Sequence, residues 1–276
     1  SGQARFFARE GAVSGMLTQA WHKAGRRTIL GALFAAVAVL GIAPVGFGAS
    51  QVYEQKYPLP AGGSFALMNV NGSVQVDGWE RDEVEVRAVK TTTGDERDLA
   101  RVDIEVDSAR DHVAVRTRYP QGSGVEVAVE YHVHVPYRVL LGGVETVNGN
   151  VLVRGVDGKG ELRTVNGDVD VTESSGRFSA HTTNGSIRLK LRRLSDDGPM
   201  ALETVNGSVV LSLPPDAHAE LNALSMNGDF SSQLPVTTTS SRAGRGISGL
   251  LGAGGNRISL RTVNGGIRVL LDEPGI

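Results

Sequence analysis

The dipeptide Asn-Gly recurs along this chain, and its spacing constrains the fold more than any other feature. From the second copy onward, the steps between copies are 18, 18, 22, 21 and 37 residues. Self-similarity at about 20 residues is the sequence signature of a stacked repeat architecture. The seven copies are Asn71-Gly72, Asn148-Gly149, Asn166-Gly167, Asn184-Gly185, Asn206-Gly207, Asn227-Gly228 and Asn264-Gly265.

Apolar residues flank these copies at fixed distances. Three residues after Asn the side chain is Val, Ile or Phe in all seven copies, and five residues after it six of the seven are apolar. In the last six copies, Val, Leu or Ala lies four residues before Asn, and Thr or Ser lies two before it. Alternation with a period of two is typical of strands. Each repeat is therefore predicted to be a strand, an Asn-Gly corner and a second strand, since both corner residues tolerate positive φ at low cost.

Two architectures fit such a repeat. One is a meander of hairpins, because Asn-Gly is a favoured two-residue hairpin turn. The other is a β-solenoid, in which equivalent residues of successive repeats stack about 4.8 Å apart. Stacking would place opposite charges side by side, and a meander gives no reason for that match. The expected pairs are Glu145–Arg163, His181–Glu203 and Asp170–Arg188. The alternation predicts an all-β fold, and the charge pairs favour the β-solenoid, with repeats of about 18–22 residues.

The chain divides into three parts in this interpretation. Residues 1–50 form an upstream segment with an export signal, residues 51–140 an N-terminal β portion with the first repeat, and residues 141–276 the solenoid repeats. Strongly alternating runs predict longer antiparallel strands in the N-terminal portion, which should cover the first repeat. The Thr-, Ser-, Gly- and Ala-rich stretch 235–256 predicts a mobile loop or an irregular repeat. Residues 51–276 are expected to be one continuous domain.

The first fifty residues have the order of a secretory signal. Basic residues at 22–27 precede an uncharged stretch at 28–49, in which Gly48 and Ala49 begin a small-residue segment that ends at Ser50. This order predicts a cleaved signal peptide. The uncharged stretch is also long enough to remain as a membrane anchor. The protein is therefore expected to be exported to the periplasm, the cell surface or the medium, with membrane attachment only through this segment.

Charge and cysteine content exclude several classes of function. The chain has 28 basic and 30 acidic side chains, and residues 1–50 contain five and one of them, so the remainder carries a net charge of −6. An acidic domain of this kind is not expected to bind nucleic acid. The absence of cysteine excludes disulfides, thiol catalysis and cysteine zinc sites.

Three features together resemble a known family. They are the repeat Asn-Gly-x-Val-x-Val, the extended strand that ends in Val-His-Val-Pro at 133–136, and the Gly-rich loop before the last Arg-Thr-Val-Asn-Gly at 261–265. Over roughly residues 65–271 the chain resembles the bacterial putative-adhesin family of exported proteins. The resemblance implies a β-solenoid and a location in the cell envelope or outside the cell, and it implies no defined catalytic residues.

Two polar pairs are candidates for chemistry. Asp168 and Asp170 should lie on one outward face about 7 Å apart, within the range of glycosidase carboxylate pairs. A solvated strand with an ion pair to Arg188 explains them more simply. His132 and His134 share one face of a strand and could begin a metal site, but no third ligand is identifiable. We therefore expect no enzyme, no cofactor and no metal site.

One further column of apolar residues lies directly before Asn, at positions that simple alternation places outside. Its Val members are Val147, Val165, Val205 and Val263. These side chains either tuck partly into the core beside the corner or form an exposed stripe for self-association or partner docking.

Three classes of function remain. The first is a structural or adhesive module that binds an unidentified protein or polysaccharide at the cell surface. The second is a carbohydrate-active enzyme on the same scaffold. The third is an envelope sensor or accessory domain held by an uncleaved anchor.

Overall fold

The computed structural model describes residues 48–120, 124–242 and 246–272. All of them belong to one compact unit, Gly41–Ile276. The predicted export signal lies almost wholly outside the described residues. No helix in the described part of the chain is long and apolar enough to cross a membrane.

Most of the described residues lie in strands, which confirms the all-β prediction. In chain order the strands are β1 (Ser50–Pro58), β2 (Ser64–Met68), β3 (Val74–Trp79), β4 (Glu83–Thr92), β5 (Asp103–Ser108), β6 (His112–Arg118), β7 (Val127–Pro136), β8 (Arg138–Glu145), β9 (Val151–Arg154), β10 (Asp157–Arg163), β11 (Val169–His181), β12 (Ile187–Leu194), β13 (Met200–Asn206), β14 (Val209–Leu213), β15 (Ala219–Asn227), β16 (Phe230–Ser232), β17 (Val236–Arg242), β18 (Gly246–Leu251), β19 (Arg257–Asn264) and β20 (Ile267–Leu271). A short 3-10 helix, Glu96–Arg101, lies between β4 and β5.

Each Asn-Gly corner joins a strand before it, the first arm, to a strand after it, the second arm. We call the unit a rung and name it by its Asn. Arms of neighbouring rungs pair in parallel: β10 lies between β8 and β11, and β12 between β11 and β14. The hairpin-meander alternative is therefore wrong for these repeats, because the arms pair in parallel with the next rung.

The order of the rungs in space differs from their order in the sequence. The first five follow the chain, but β19 lies between β13 and β15, and β20 lies between β14 and β16. The Asn264 rung, last in sequence, is thus inserted between the Asn206 and Asn227 rungs.

The stretch 235–256, predicted as a mobile loop or an irregular repeat, contains strands β17 and β18, and their hairpin accounts for the change of order. Strand β18 pairs antiparallel with the outer edge of β15, and β17 pairs antiparallel with β18. Leu251 at the end of β18 is buried in the core. The hairpin therefore lies on the outer side of β15, and β19 then pairs with the inner side of β15, between β15 and β13.

The inward columns form the core. The residues three and five positions after Asn, and four before it, are buried in every rung except the second arm of the Asn227 rung, where Phe230 and Ser232 are half-buried. Each fully buried Val, Leu or Ile side chain contributes roughly 1.5–3 kcal/mol. The apolar columns therefore stabilise the stack only when neighbouring rungs are in register.

The N-terminal portion packs on the Asn71 rung, as expected. Strands β6 and β7 extend the two columns of arms by parallel pairing with β2 and β3. The remaining pairings are antiparallel, with β4 on β7, β1 on β4 and β5 on β6. The stack thus begins with antiparallel strands on both arms.

Candidate functional site

The corner asparagines form a continuous ladder of side-chain amides along one edge of the stack. In each rung after the Asn71 rung, the Asn Nδ2 donates to the Asn Oδ1 of the preceding rung in space. The six bonds, at 2.8–2.9 Å, run Asn148 to Asn71, Asn166 to Asn148, Asn184 to Asn166, Asn206 to Asn184, Asn264 to Asn206 and Asn227 to Asn264. Each interior Asn both donates and accepts, which an aspartate could not do.

A second ladder lies just inside the first. In every rung except the Asn71 rung, the Thr or Ser two residues before Asn donates its hydroxyl to the corner Gly carbonyl of the preceding rung. The donors and acceptors, at 2.8–2.9 Å, are Thr146 to Gly72, Thr164 to Gly149, Thr182 to Gly167, Thr204 to Gly185, Thr262 to Gly207 and Ser225 to Gly265. These buried hydroxyls and the corner carbonyls satisfy one another.

The predicted reason for Asn-Gly at the corner is wrong for asparagine. Glu173 is the only non-glycine residue with positive φ in the described part of the chain, so no corner Asn uses the left-handed region. Glycine is required mainly by close approach, because a Cβ on Gly185 would overlap the carbonyl oxygen of Gly167. The same overlap recurs at every corner, with the Val129 carbonyl as the obstacle for Gly72.

The Asn71 end of the stack closes with a buried polar network. Asn69 takes the Thr position of the first rung and donates to the carbonyls of Asn71, Gly72 and Val129 at 2.9–3.2 Å. Its Oδ1 accepts from Thr117 Oγ1 at 2.9 Å, and that hydroxyl lies 2.7 Å from the Tyr131 hydroxyl. Sequence analysis missed this network, although Asn in place of Thr in the first repeat was a visible signal.

Asp168 belongs to a third ladder, two residues after Asn. Its backbone N–H donates to Asn150 Oδ1 at 2.9 Å, and its own Oδ1 accepts from the Ser186 backbone N–H at 2.7 Å. Ser186 Oγ in turn accepts from the Ser208 N–H at 3.2 Å. The carboxylate therefore links two rungs through the backbone.

Arg188 pairs with both candidate carboxylates. Its Nη1 lies 3.0 Å from Asp168 Oδ2 and 3.3 Å from Asp170 Oδ1. Burial would raise the pKa of Asp168, but the Ser186 N–H and the Arg188 guanidinium together hold that pKa below its ordinary value. A general acid of a glycosidase needs a raised pKa, so Asp168 is poorly suited to that role.

The other charge pairs lie where stacking places them. Arg163 Nη1 is 3.3 Å from Glu145 Oε1, and His181 Nδ1 is 3.6 Å from Glu203 Oε2. Arg261, on the inserted rung, also approaches Glu203 at 3.8 Å. Burial raises the pKa of Glu145, and the nearby charge of Arg163 offsets this increase only in part.

The two candidate metal ligands have other neighbours. His134 stacks on the Trp79 ring at 4.9 Å between centroids, and its Nδ1 lies 3.5 Å from Glu85 Oε1. His132 is exposed and pairs across the sheet with Arg87. Within the described ranges, no group of three or more His, Asp or Glu side chains is placed to hold a metal ion.

The residues directly before Asn form a half-exposed apolar stripe beside the amide ladder. In spatial order it contains Val70, Val147, Val165, Thr183, Val205, Val263 and Met226. The ends are the most exposed, with Val70 at 37% and Met226 at 43%, and the members between them are half-buried. We call these seven residues the apolar stripe. The column is therefore partly exposed and partly packed beside the corner.

The parallel rungs with their ladders define an all-β repeat protein. Residues 142–270 match the family described as Toastrack DUF4097. Over this stretch the predicted resemblance to a family of putative adhesins of unknown function is confirmed. The matched stretch begins inside β8 and contains six of the seven Asn-Gly corners. No curated protein matches the chain.

Three solved structures are similar over most of their length. A putative cell adhesion protein from Clostridium sporogenes is 10% identical, covers 80% of this chain and 100% of its own, and has a TM-score of 0.48. A putative adhesin from Bacteroides fragilis is 10% identical over 80% and 97% of the two chains, with a TM-score of 0.39. A putative lipid binding protein from Parabacteroides distasonis is 7% identical over 81% and 98%, with a TM-score of 0.30. At these scores the fold assignment rests on the strand pairings of this chain.

Proposed function

We propose that this protein is an exported, non-enzymatic adhesion module of the bacterial cell envelope or surface. Its parallel stack is a β-solenoid, and the apolar stripe is the face that binds a partner or polymer. The observation that carries the proposal is the stripe itself, which runs along all seven rungs beside the amide ladder.

The ladders make this face suitable for binding. Seven rungs at about 4.8 Å give a straight edge roughly 30 Å long. The Asn amides already satisfy one another, so a partner that covers the edge leaves few polar groups without hydrogen bonds. Fixed side chains also lose little conformational entropy on binding. An elongated partner gains the most because it can contact several rungs at once.

Lysine substitution tests the contact surface. The double variant Val165→Lys, Val205→Lys places two charges in the middle of the stripe. The matched control is Thr172→Lys, Ser212→Lys, which puts the same charges on half-exposed positions of the same two rungs, away from the stripe.

Binding is measured by co-sedimentation with bacterial envelope fragments and on an array of purified polysaccharides. We expect the stripe variant to lose binding at least tenfold, roughly 1.4 kcal/mol, while the control binds like wild type and all three proteins melt cooperatively. Equal binding by both variants would remove the stripe as the contact face. Degradation of a polysaccharide on the array would instead favour the carbohydrate-active enzyme.

A further inference from the structure

We propose that Asn227-Gly228 is a site of spontaneous deamidation, at which the stack leaves open a reaction that it blocks at the other Asn-Gly corners. The seven corners have the same dipeptide, so differences in their reactivity come from the structure around each corner.

The reaction requires only water. The Gly backbone nitrogen attacks the Asn Cγ, the new N–Cγ bond closes a five-membered succinimide, and the Cγ–Nδ2 bond breaks as ammonia leaves with the proton of the Gly nitrogen. Water then opens the ring at either carbonyl and gives aspartate or isoaspartate. Overall, one amide and one water become one carboxylic acid and one ammonia.

Six corners hold the attacking group in a hydrogen bond. In each of them the Gly N–H donates to the Asn carbonyl of the following rung in space. The bonds, at 2.8–3.2 Å, are Gly72 to Asn148, Gly149 to Asn166, Gly167 to Asn184, Gly185 to Asn206, Gly207 to Asn264 and Gly265 to Asn227. The rung must open locally before such a nitrogen can turn toward Cγ.

In the described part of the chain, no rung lies beyond the seventh corner. Across the described residues, the Gly228 N–H has no hydrogen-bond acceptor. The Asn227 amide is held only by its Nδ2, which donates to Asn264 Oδ1 at 2.9 Å, and no described group donates to its Oδ1. Both reacting groups are therefore less restrained than at any interior rung.

The surroundings of this corner also leave it accessible. Met226, Asn227 and Asp229 are exposed. The second arm, Phe230–Ser232, has only three residues and pairs with β20 alone. Few contacts oppose the small backbone rotation that brings the Gly228 nitrogen to the Asn227 side chain.

The product would weaken the next rung. A carboxylate at position 227 cannot donate to Asn264 Oδ1, and two oxygens would then face each other. Isoaspartate also lengthens the backbone by one carbon and displaces the carbonyl that accepts from Gly265 N–H. Conversion at Asn227 therefore exposes Asn264, so deamidation should advance inward from this end.

Peptide mapping of the full chain tests the proposal. The purified protein is incubated in mildly alkaline buffer, and the conversion of all seven corner asparagines is followed by mass spectrometry that separates aspartate from isoaspartate. We expect Asn227 to convert at least about tenfold faster than Asn184, as expected if one hydrogen bond must first be broken. Asn264 should follow only after a lag.

Denatured protein supplies the matched control, because all seven sites should then convert at similar rates. The proposal is overturned if folded protein converts Asn184 or Asn206 as fast as Asn227, or if Asn227 does not convert. The variant Asn227→Ser keeps the carbonyl that accepts from Gly265 but removes the reactive amide, so Asn264 should remain slow. Fast conversion of Asn264 in that variant would contradict inward progress.

Discussion

The corner glycine shows how a single residue sets the spacing of the stack. In each pair of neighbouring corners, the carbonyl oxygen of one corner glycine lies where a Cβ on the other glycine would be. Glycine is therefore needed at Gly149 and Gly167 although neither has a φ in the left-handed region. The Thr hydroxyl then binds the same carbonyl, so sterics and hydrogen bonding act on one atom.

Substitution of an interior corner glycine should unfold the stack. In Gly185→Ala the added methyl meets the backbone of Gly167, which cannot move without shifting a whole rung. We expect a loss of about 3 kcal/mol or more in the free energy of unfolding. Gly124→Ala is the control, because the space around that glycine is open, and it should change stability by less than about 0.5 kcal/mol. Equal urea midpoints for the two variants would contradict the close approach.

Asp168 makes a pH-dependent contribution to the free energy of unfolding, and the sign of that contribution follows from its lowered pKa. Its pKa in the folded protein lies below the ordinary 3.8, because the Ser186 N–H and Arg188 outweigh its burial. The ionised group therefore stabilises the fold above that ordinary pKa, and the contribution is lost as pH falls through the lower folded value. Asp168→Asn keeps an oxygen for the Ser186 N–H and loses the charge.

We expect Asp168→Asn to be less stable than wild type by less than about 1 kcal/mol at neutral pH, since the pair with Arg188 is partly exposed. The difference should vanish in acid, where the wild-type carboxyl is protonated. Urea unfolding at both pH values measures it, and a difference that grows in acid would contradict the assigned sign.

At the scale of the element, each second arm separates inward and outward columns by strict alternation. Val169, Ile187 and Val209 lie opposite one another inside the stack. Arg188 lies between Asp170 and Val210 on the outside. A one-residue change of register would exchange the two columns.

The substitution Val169→Asp should therefore unfold the stack, because it places an unpaired charge in the core. Val210→Asp is the matched control. It introduces the same side chain on an outward position opposite Arg188 and Arg268, where a carboxylate can pair. Thermal melting followed by circular dichroism should show a lost transition for the first variant and a wild-type transition for the second. A cooperative melt of Val169→Asp would contradict the register.

Local sequence periodicity made much of the fold predictable. The inward columns and the outward Val residues follow from alternation around Asn-Gly within one repeat, and the charge pairs follow once equivalent positions of neighbouring repeats are aligned. The amide ladder was not predicted, since a turn preference alone accounts for Asn-Gly until neighbouring rungs are placed side by side. The persistence of Asn, with no Asp at any of seven corners, was the available signal.

At the scale of the whole molecule, the order of the last two rungs could not be derived from the repeats. The Asn227 and Asn264 rungs both present an apolar first arm and a hydroxyl before the corner, so either could stack on Asn206. The β17–β18 hairpin decides the order by occupying the outer edge of β15. Its Thr-, Ser- and Gly-rich sequence gives little indication of strands.

Engineered cysteines can test this order, because the natural chain has none. Val210 lies opposite Arg268, and Arg268 lies opposite Ser231 on its other side. The pair Val210→Cys, Arg268→Cys should form a disulfide, since adjacent strands lie about 4.8 Å apart. The pair Val210→Cys, Ser231→Cys spans two rungs, roughly 10 Å, and should not. The opposite result, read by mass spectrometry without reductant, would place the Asn227 rung next to Asn206.

The inserted rung has a consequence for how the protein is made. Synthesis delivers the Asn227 rung before residues 257–271, the segment that must fill the space between it and the Asn206 rung. Rungs up to Asn206 can assemble in the order in which they leave the ribosome, but the last two cannot. A chain still threaded through a ribosome or a translocation channel at residue 257 therefore keeps this end of its core open, and the final folding step waits until residues 257–271 have emerged.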